Sequence, residues 1–280
     1  MEGLSPAEVD SRFYSFAYLI GPENTAPADF PIPSSERNFR IALFLPRDDP
    51  DWFGRSSNPP RILLLLGDAI VVLTHPKYNV DPVRIPISDL AFCEAGQVLL
   101  IGWIRFVTSQ TEIELPYNTR SHHPVSEFLR GLMEAYLPGT PIVDRGEAVA
   151  FGPSLDIKFR NYLAAALVGK ERVHTRFFSP PVEVSRRWGP WRVRSQAAGD
   201  LVAFTNRRAL WITDRRNGSY ERYGNIVRTT PLHTIGDVSW GESLMLTFRN
   251  GASWRIPLSS ERLEEAKQFA AKHTLSEKPR

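Results

Sequence analysis

One cysteine, three methionines and no long apolar run set the first bounds on this 280-residue chain. The single Cys93 excludes an intramolecular disulfide and fits a reducing compartment. It lies in the short apolar run Leu90 to Cys93, where a buried, inert thiol is expected. The longest apolar runs, near Ile62 to Leu66 and Val98 to Ile104, fall far short of the ~20 residues that cross a bilayer. The chain opens Met-Glu-Gly-Leu-Ser-Pro, acidic where a secretory leader would be basic and then apolar. A cytoplasmic protein is therefore the expectation, with a peripheral place at the membrane as the variant of it.

Catalytic signatures are missing as well. There is no Gly-x-Ser-x-Gly elbow, no phosphate-binding glycine loop and no dinucleotide fingerprint. The one histidine pair, His122-His123, has no cysteine or third histidine at metal-ligand spacing. The acidic run Asp48-Asp49-Pro50-Asp51 lacks the glycine and spaced carboxylates of a calcium loop and reads as a solvated loop. Asn217-Gly218-Ser219 matches a glycosylation acceptor but also a turn, and without a leader the turn is expected. No enzyme, no metal and no cofactor are expected.

What is present is a globular composition cut into short segments by 23 prolines and 18 glycines. Leu201 to Asp214 reads as two strands joined by a tight Thr205-Asn206-Arg207-Arg208 turn. Leu244 to Ile256 reads as a hairpin, with Asn250-Gly251 as its type I′ turn; Leu244, Leu246 and Phe248 share one face. After Pro257, Ser259 or Ser260 can cap a helix to about His273, with Leu263, Ala266, Phe269 and Ala270 on one side.

The first half repeats this order. Asp68 to His75 matches the strand ending at Asp214, and Arg84-Ile85-Pro86 matches Thr229-Thr230-Pro231. Ten residues past each proline comes a glycine, Gly96 and Gly241. A hairpin from Val98 to Val107 and Thr111 to Tyr117 then leads to a closing helix. In that helix Val125, Phe128, Leu129, Leu132, Met133 and Tyr136 step at helical spacing before Pro138-Gly139. Each half also opens on an amphipathic stretch, Ser5 to Gly21 and Ser154 to Gly169. A segment order that recurs at half the chain length points to duplication.

Strand, Thr-Asn-Arg-Arg turn, strand, further strands, hairpin and closing helix resembles the bacterial pleckstrin-homology-like (PH-like) and GRAM-like domains. Leu201-Val-Ala-Phe-Thr-Asn-Arg-Arg-Ala-Leu-Trp-Ile212 looks like their central signature. The first half departs from it, with Gly67-Asp68 at the turn. The resemblance implies an α+β, mostly β chain of two tandem PH-like domains. Each would be a bent seven-stranded antiparallel sheet closed by a C-terminal helix and preceded by an amphipathic helix. The domains would be residues 1–140, acidic, and 141–280, basic. Such domains serve lipid binding, peptide binding and structure alike, so the resemblance selects no single function.

Charge separates the halves. Residues 1–149 hold 12 Lys and Arg against 19 Asp and Glu, a net −7; residues 150–280 hold 22 against 12, a net +10. Either the halves dock on each other or the basic half meets an anionic partner. The densest basic stretch carries Arg186, Arg187, Trp188, Trp191, Arg192 and Arg194. The resemblance implies a phosphate-binding loop there, with Arg192-Val193-Arg194 as its basic pair and Arg172 or Arg176 as the first-strand charge; Arg207 and Arg208 of the Thr205 turn are further candidates for the same anionic ligand or partner. Equally, Trp188 and Trp191 can cover the core while the arginines are solvated. A non-enzymatic scaffold that binds a protein partner, through a strand edge or the groove beside a closing helix, is the leading expectation. Peripheral binding to anionic phospholipid through the basic half is the alternative, and nucleic acid is not the expected partner.

Overall fold

The computed structural model describes residues 16–22, 25–46, 58–136, 155–168, 171–181, 183–188, 191–196, 198–216, 219–220, 224–258 and 260–273. For 183–188, 191–196, 216, 219–220 and 260 it describes the backbone only. Expectations that fall on Ser5 to Ser15, Asp48 to Asp51, Ser154, Asn217-Gly218 and Ser259 lie outside the described residues.

The elements run β1 (Tyr18–Ile20), β2 (Ile41–Leu45), β3 (Arg61–Leu65), β4 (Ala69–Thr74), β5 (Val83–Pro86), β6 (Leu90–Val98), β7 (Ile101–Thr108), β8 (Glu112–Asn118) and α1 (His122–Tyr136). Then come α2 (Ile157–Ala166), β9 (Val173–Ser179), β10 (Glu183–Trp188), β11 (Trp191–Gln196), β12 (Asp200–Thr205), β13 (Arg208–Thr213), β14 (Arg215–Arg216), β15 (Ser219–Tyr220) and β16 (Gly224–Pro231). The last described elements are β17 (Ile235–Trp240), β18 (Ser243–Phe248), β19 (Ser253–Pro257) and α3 (Leu263–His273). It divides into two compact units. One holds Met1–Leu90, Leu99–Ile104 and Glu114–Pro138; the other holds Ala91–Val98, Arg105–Ile113 and Gly139–Arg280.

In the first unit β1 to β5 form an antiparallel sheet in sequence order. β3 and β4 are buried on both faces, which suits their unbroken aliphatic runs. One face packs Phe44, Ile62, Leu64, Val71 and Leu73 against Phe30. Helix α1 buries Val125, Phe128, Leu132, Met133 and Tyr136, and packs on β1 and β2. The Tyr136 hydroxyl donates to the Leu90 carbonyl at 2.8 Å.

In the second unit the sheet is covered on both faces. Leu155, Phe159 and Leu163 of the α2 region pack on Leu201, Ala203, Leu210 and Ile212. The opposite faces of β12 and β13 carry Val202, Phe204, Ala209 and Trp211. These pack with Leu244, Leu246, Phe248, Trp254 and Ile256 of the three-stranded sheet β17-β18-β19, and with Phe269 of α3. Full burial of all six residues in each of β12 and β13 follows from this double cover.

The expected pair of tandem PH-like domains, each with its own seven-stranded sheet, is overturned by the strand order. Among the described residues the sheets have five, seven and three strands, with two two-stranded ribbons, β10-β11 and β14-β15. The seven-stranded sheet runs β8-β7-β6-β16-β13-β12-β9, so it mixes strands from both halves of the sequence. Its joint is the antiparallel ladder of β6 with β16, in which Glu94 faces Arg228. Two open strand edges satisfy each other there, and opposite charges set directly across the ladder favour that register.

Element order does recur between the halves. Pro86 and Pro231 each lead into a 3-10 turn, Ile87–Asp89 and Leu232–Thr234, and a strand, hairpin and helix follow each. Other details differ from expectation. Tyr18–Ile20, expected as the end of a leading helix, is a strand paired with Ala42 to Phe44. Helix α2 is capped by Asp156, whose side chain accepts from the Lys158 amide, and it stops at Ala166. Gly96 lies inside β6, whereas Gly241 lies in the turn after β17. In the β18-β19 turn only Gly251 has positive φ, at 88°. The Gly251 amide bonds the Phe248 carbonyl and the Phe248 amide bonds the Ala252 carbonyl. This is a three-residue loop with glycine at the left-handed position, not a type I′ turn.

Candidate functional site

The Thr205-Asn206-Arg207-Arg208 turn forms as expected, but Arg208 faces inward. Its side chain is 3% exposed and its Nη2 lies 2.8 Å from the fully buried Glu171 carboxylate. Nε donates to the other Glu171 oxygen at 2.8 Å, Nη1 donates to Thr229 Oγ1 at 3.1 Å, and Nη2 also reaches the Ala166 carbonyl at the end of α2. The Thr205 hydroxyl donates to Glu171 at 2.7 Å and the Val168 amide donates at 3.1 Å. Burial pushes the Glu171 carboxyl up. Its bond to Arg208, the charge of Arg208 and the bonds from Thr205 and Val168 outweigh that and hold it below the usual carboxylate range. Arg208 thus ties α2 to β13, with four of its five N–H donors engaged inside the protein.

Arg176 is half-buried on β9 opposite Ala203, and Arg207 is half-buried in the turn. Arg186, Arg187, Trp188, Trp191, Arg192 and Arg194 lie on β10 and β11, with their side chains outside the described part of the structure. The backbone register sets Arg187 opposite Arg192, Ser185 opposite Arg194 and Trp188 opposite Trp191. Strand alternation then places positions 187, 192 and 194 on one face of the ribbon and positions 186, 188 and 191 on the other.

Three buried carboxylates of the second unit, Glu94, Asp200 and Asp214, are also paired internally. Glu94, 2% exposed at its side chain, meets both Arg105 and Arg228, and Arg228 lies 4.1 Å over the Trp211 ring. The Trp211 indole donates to Asp200 at 2.9 Å. Burial raises the carboxyls of Asp200 and Asp214 above their ordinary range, against the pull of Arg215 and Lys158 respectively. Burial also pushes the Cys93 thiol up to about 12, so the thiol is inert at neutral pH. No group of three His, Cys, Asp or Glu that could hold a metal ion occurs among the described residues. His122 bonds Ser126 and His123 pairs with Glu127, each along α1. No helix among the described residues is long and apolar enough to cross a membrane.

Two surface features escaped the sequence reading. One lies beside α3. Trp240, at the end of β17, is 46% exposed, with Lys267 of α3 at 5.6 Å over its ring. Glu242, Met245, Arg255 and Pro257 line a hollow with it, and Leu263, expected on the inner face of α3, is 36% exposed. The other is the β6-β7 turn, where Leu99, Leu100 and Ile101 are 67%, 59% and 54% exposed. Leu99 adopts φ 52°, a left-handed conformation that costs a leucine about 1–2 kcal/mol. Thr119 holds the turn there: its hydroxyl donates to the Leu99 carbonyl at 2.9 Å and its amide to the Leu100 carbonyl at 3.0 Å. In sequence these leucines sit inside the apolar run Val98 to Ile104, which reads as strand throughout. Only the doubled pattern, strand then turn at the second Gly241-Glu242 position, hints at a turn inside it.

No protein-family model matches the chain, and no curated protein matches it either.

Proposed function

We propose that the chain is a non-enzymatic binding protein that takes up a protein partner at the Trp240 surface. The observation that carries this reading is the half-exposed Trp240 with Lys267 stacked on it beside the closing helix α3. Tryptophan, arginine and methionine are the residues that interfaces concentrate, and a large ring at the rim of a hollow is the usual anchor of a contact. The partner segment presents an apolar side chain to the ring. Trp240→Glu is expected to leave thermal unfolding unchanged, because the ring is already half in water. Proteins retained by the wild type from a lysate of the native host should be lost at least about tenfold on the variant. A retained set identical for both proteins overturns the reading. So does turnover in a broad hydrolase and phosphatase screen that a point substitution abolishes.

A second reading has its own support in the β10-β11 register, which sets positions 187, 192 and 194 on one ribbon face. Such a face suits an anionic phospholipid surface, where each basic residue adds about 1 kcal/mol. Arg187→Glu with Arg192→Glu is expected to cut sedimentation with phosphatidylserine-containing vesicles, and wild-type sedimentation should weaken with salt. Vesicle binding that neither salt nor the double substitution changes counts against it.

A further inference from the structure

We infer that the β6-β7 turn is a wedge that enters the hydrocarbon edge of a lipid bilayer through Leu99, Leu100 and Ile101. This rests on neither Trp240 nor the β10-β11 ribbon. Three large aliphatic side chains in succession stand more than half exposed at a two-residue turn. Thr119 pins both turn carbonyls, so the side chains are presented by a fixed backbone. Leu99 occupies a conformation that asparagine or glycine would hold at lower cost, which makes an apolar side chain there a property of the surface and not of the turn.

The composition selects the occupant. Protein contacts are anchored by tryptophan, tyrosine and arginine, and leucine is under-represented among the residues that carry their energy. The turn has neither aromatic nor polar groups at its apex and needs only to be buried in something apolar, which hydrocarbon supplies without shape matching. Behind the apex, Arg120 is exposed next to the clamp residue Thr119, and Asn118 bonds the Arg120 amide at 3.0 Å. Neither 97–101 nor 116–124, the two segments joined by the clamp, contains an aspartate or glutamate. An aliphatic apex with a cation set back from it matches the order of an anionic bilayer surface, acyl chains within and headgroups outside.

The test places a reporter at the apex. Leu100→Cys can be labelled selectively with an environment-sensitive nitrobenzoxadiazole, because the native Cys93 is buried. Mixing with vesicles of phosphatidylcholine and phosphatidylserine is expected to shift the emission to the blue and raise it. Absence of any shift overturns the inference and leaves a protein pocket as the occupant. A second arm uses unlabelled protein. Leu99→Asn with Leu100→Ser and Ile101→Thr suits the left-handed position better and keeps a β-branched strand residue, so it is expected to unfold at or above the wild-type temperature. It should partition onto the same vesicles at least about tenfold more weakly than wild type. Equal partitioning of the two proteins overturns the inference. In parallel, Arg187→Glu with Arg192→Glu reports on the ribbon, and vesicle binding lost there but unchanged in the turn variant also overturns it.

Discussion

Arg208→Met is expected to destabilise the protein by about 3–5 kcal/mol, because it leaves the Glu171 carboxylate buried without its cation. The loss arises from that orphaned charge more than from the missing attraction. The double substitution Arg208→Met with Glu171→Leu should therefore recover most of the stability, since it removes both charges at similar volume. Acid sharpens the distinction. Glu171 is held below the ordinary carboxylate range, so its contribution is full above the unfolded-state pKa and is lost as pH falls through the folded-state value. In Arg208→Met burial is opposed only by the bonds from Thr205 and Val168, the Glu171 pKa rises, and the sign reverses: the variant gains as pH falls. The gap between wild type and single variant should narrow from about pH 7 to about pH 4 in urea unfolding. A gap that stays constant, or a double variant no better than the single one, contradicts this account.

Trp254→Ala is expected to cost about 3–5 kcal/mol, and Trp254→Phe less than about 1.5 kcal/mol. Trp254 is 1% exposed and its ring lies 5.2 Å from Phe248, 5.8 Å from Phe92 and 6.0 Å from Trp211. Truncation to alanine empties the centre of that aromatic cluster. Phenylalanine keeps most of the volume and also removes the indole N–H, which is buried with no hydrogen-bond partner among the described residues. An unmet buried donor costs about 1–3 kcal/mol, so its removal offsets part of the lost packing. Comparable unfolding midpoints for the alanine and phenylalanine variants would show that the cluster is not packed as described.

Much of the local structure was legible from residues alone. The α1 stripe, the alternation of Leu244, Leu246 and Phe248, and the turn at Thr205 to Arg208 are set by neighbours within a few positions, where spacing and turn chemistry decide. The match of Arg84-Ile85-Pro86 with Thr229-Thr230-Pro231 was legible too, but not the 3-10 turns that follow each proline. What could not be read is what depends on distant partners. Nothing within β6 says that it will pair with β16, and an open edge accepts any strand that fits. Arg208 reads in sequence as part of a basic surface, because a charge looks the same whether or not a carboxylate 37 residues upstream has taken it inside. The apex at Leu99 was hidden in another way: apolar alternation carries no mark of where a strand stops when the turn residues are themselves apolar.

The β6-β16 ladder also sets a schedule for the chain as it is made. Glu94 and Arg228 stand 134 residues apart in sequence. At a synthesis rate of about 5–20 residues per second, β6 waits on the order of 10 s before its partner strand leaves the ribosome. During that wait one of its edges is an open template for any passing strand. Glu94 in mid-strand makes that template a poor one, since a lone carboxylate on a strand edge disfavours pairing with another chain. Arg105, on the neighbouring β7, can hold Glu94 until Arg228 arrives. The same carboxylate that later fixes the register thus first acts as a guard on an unfinished sheet.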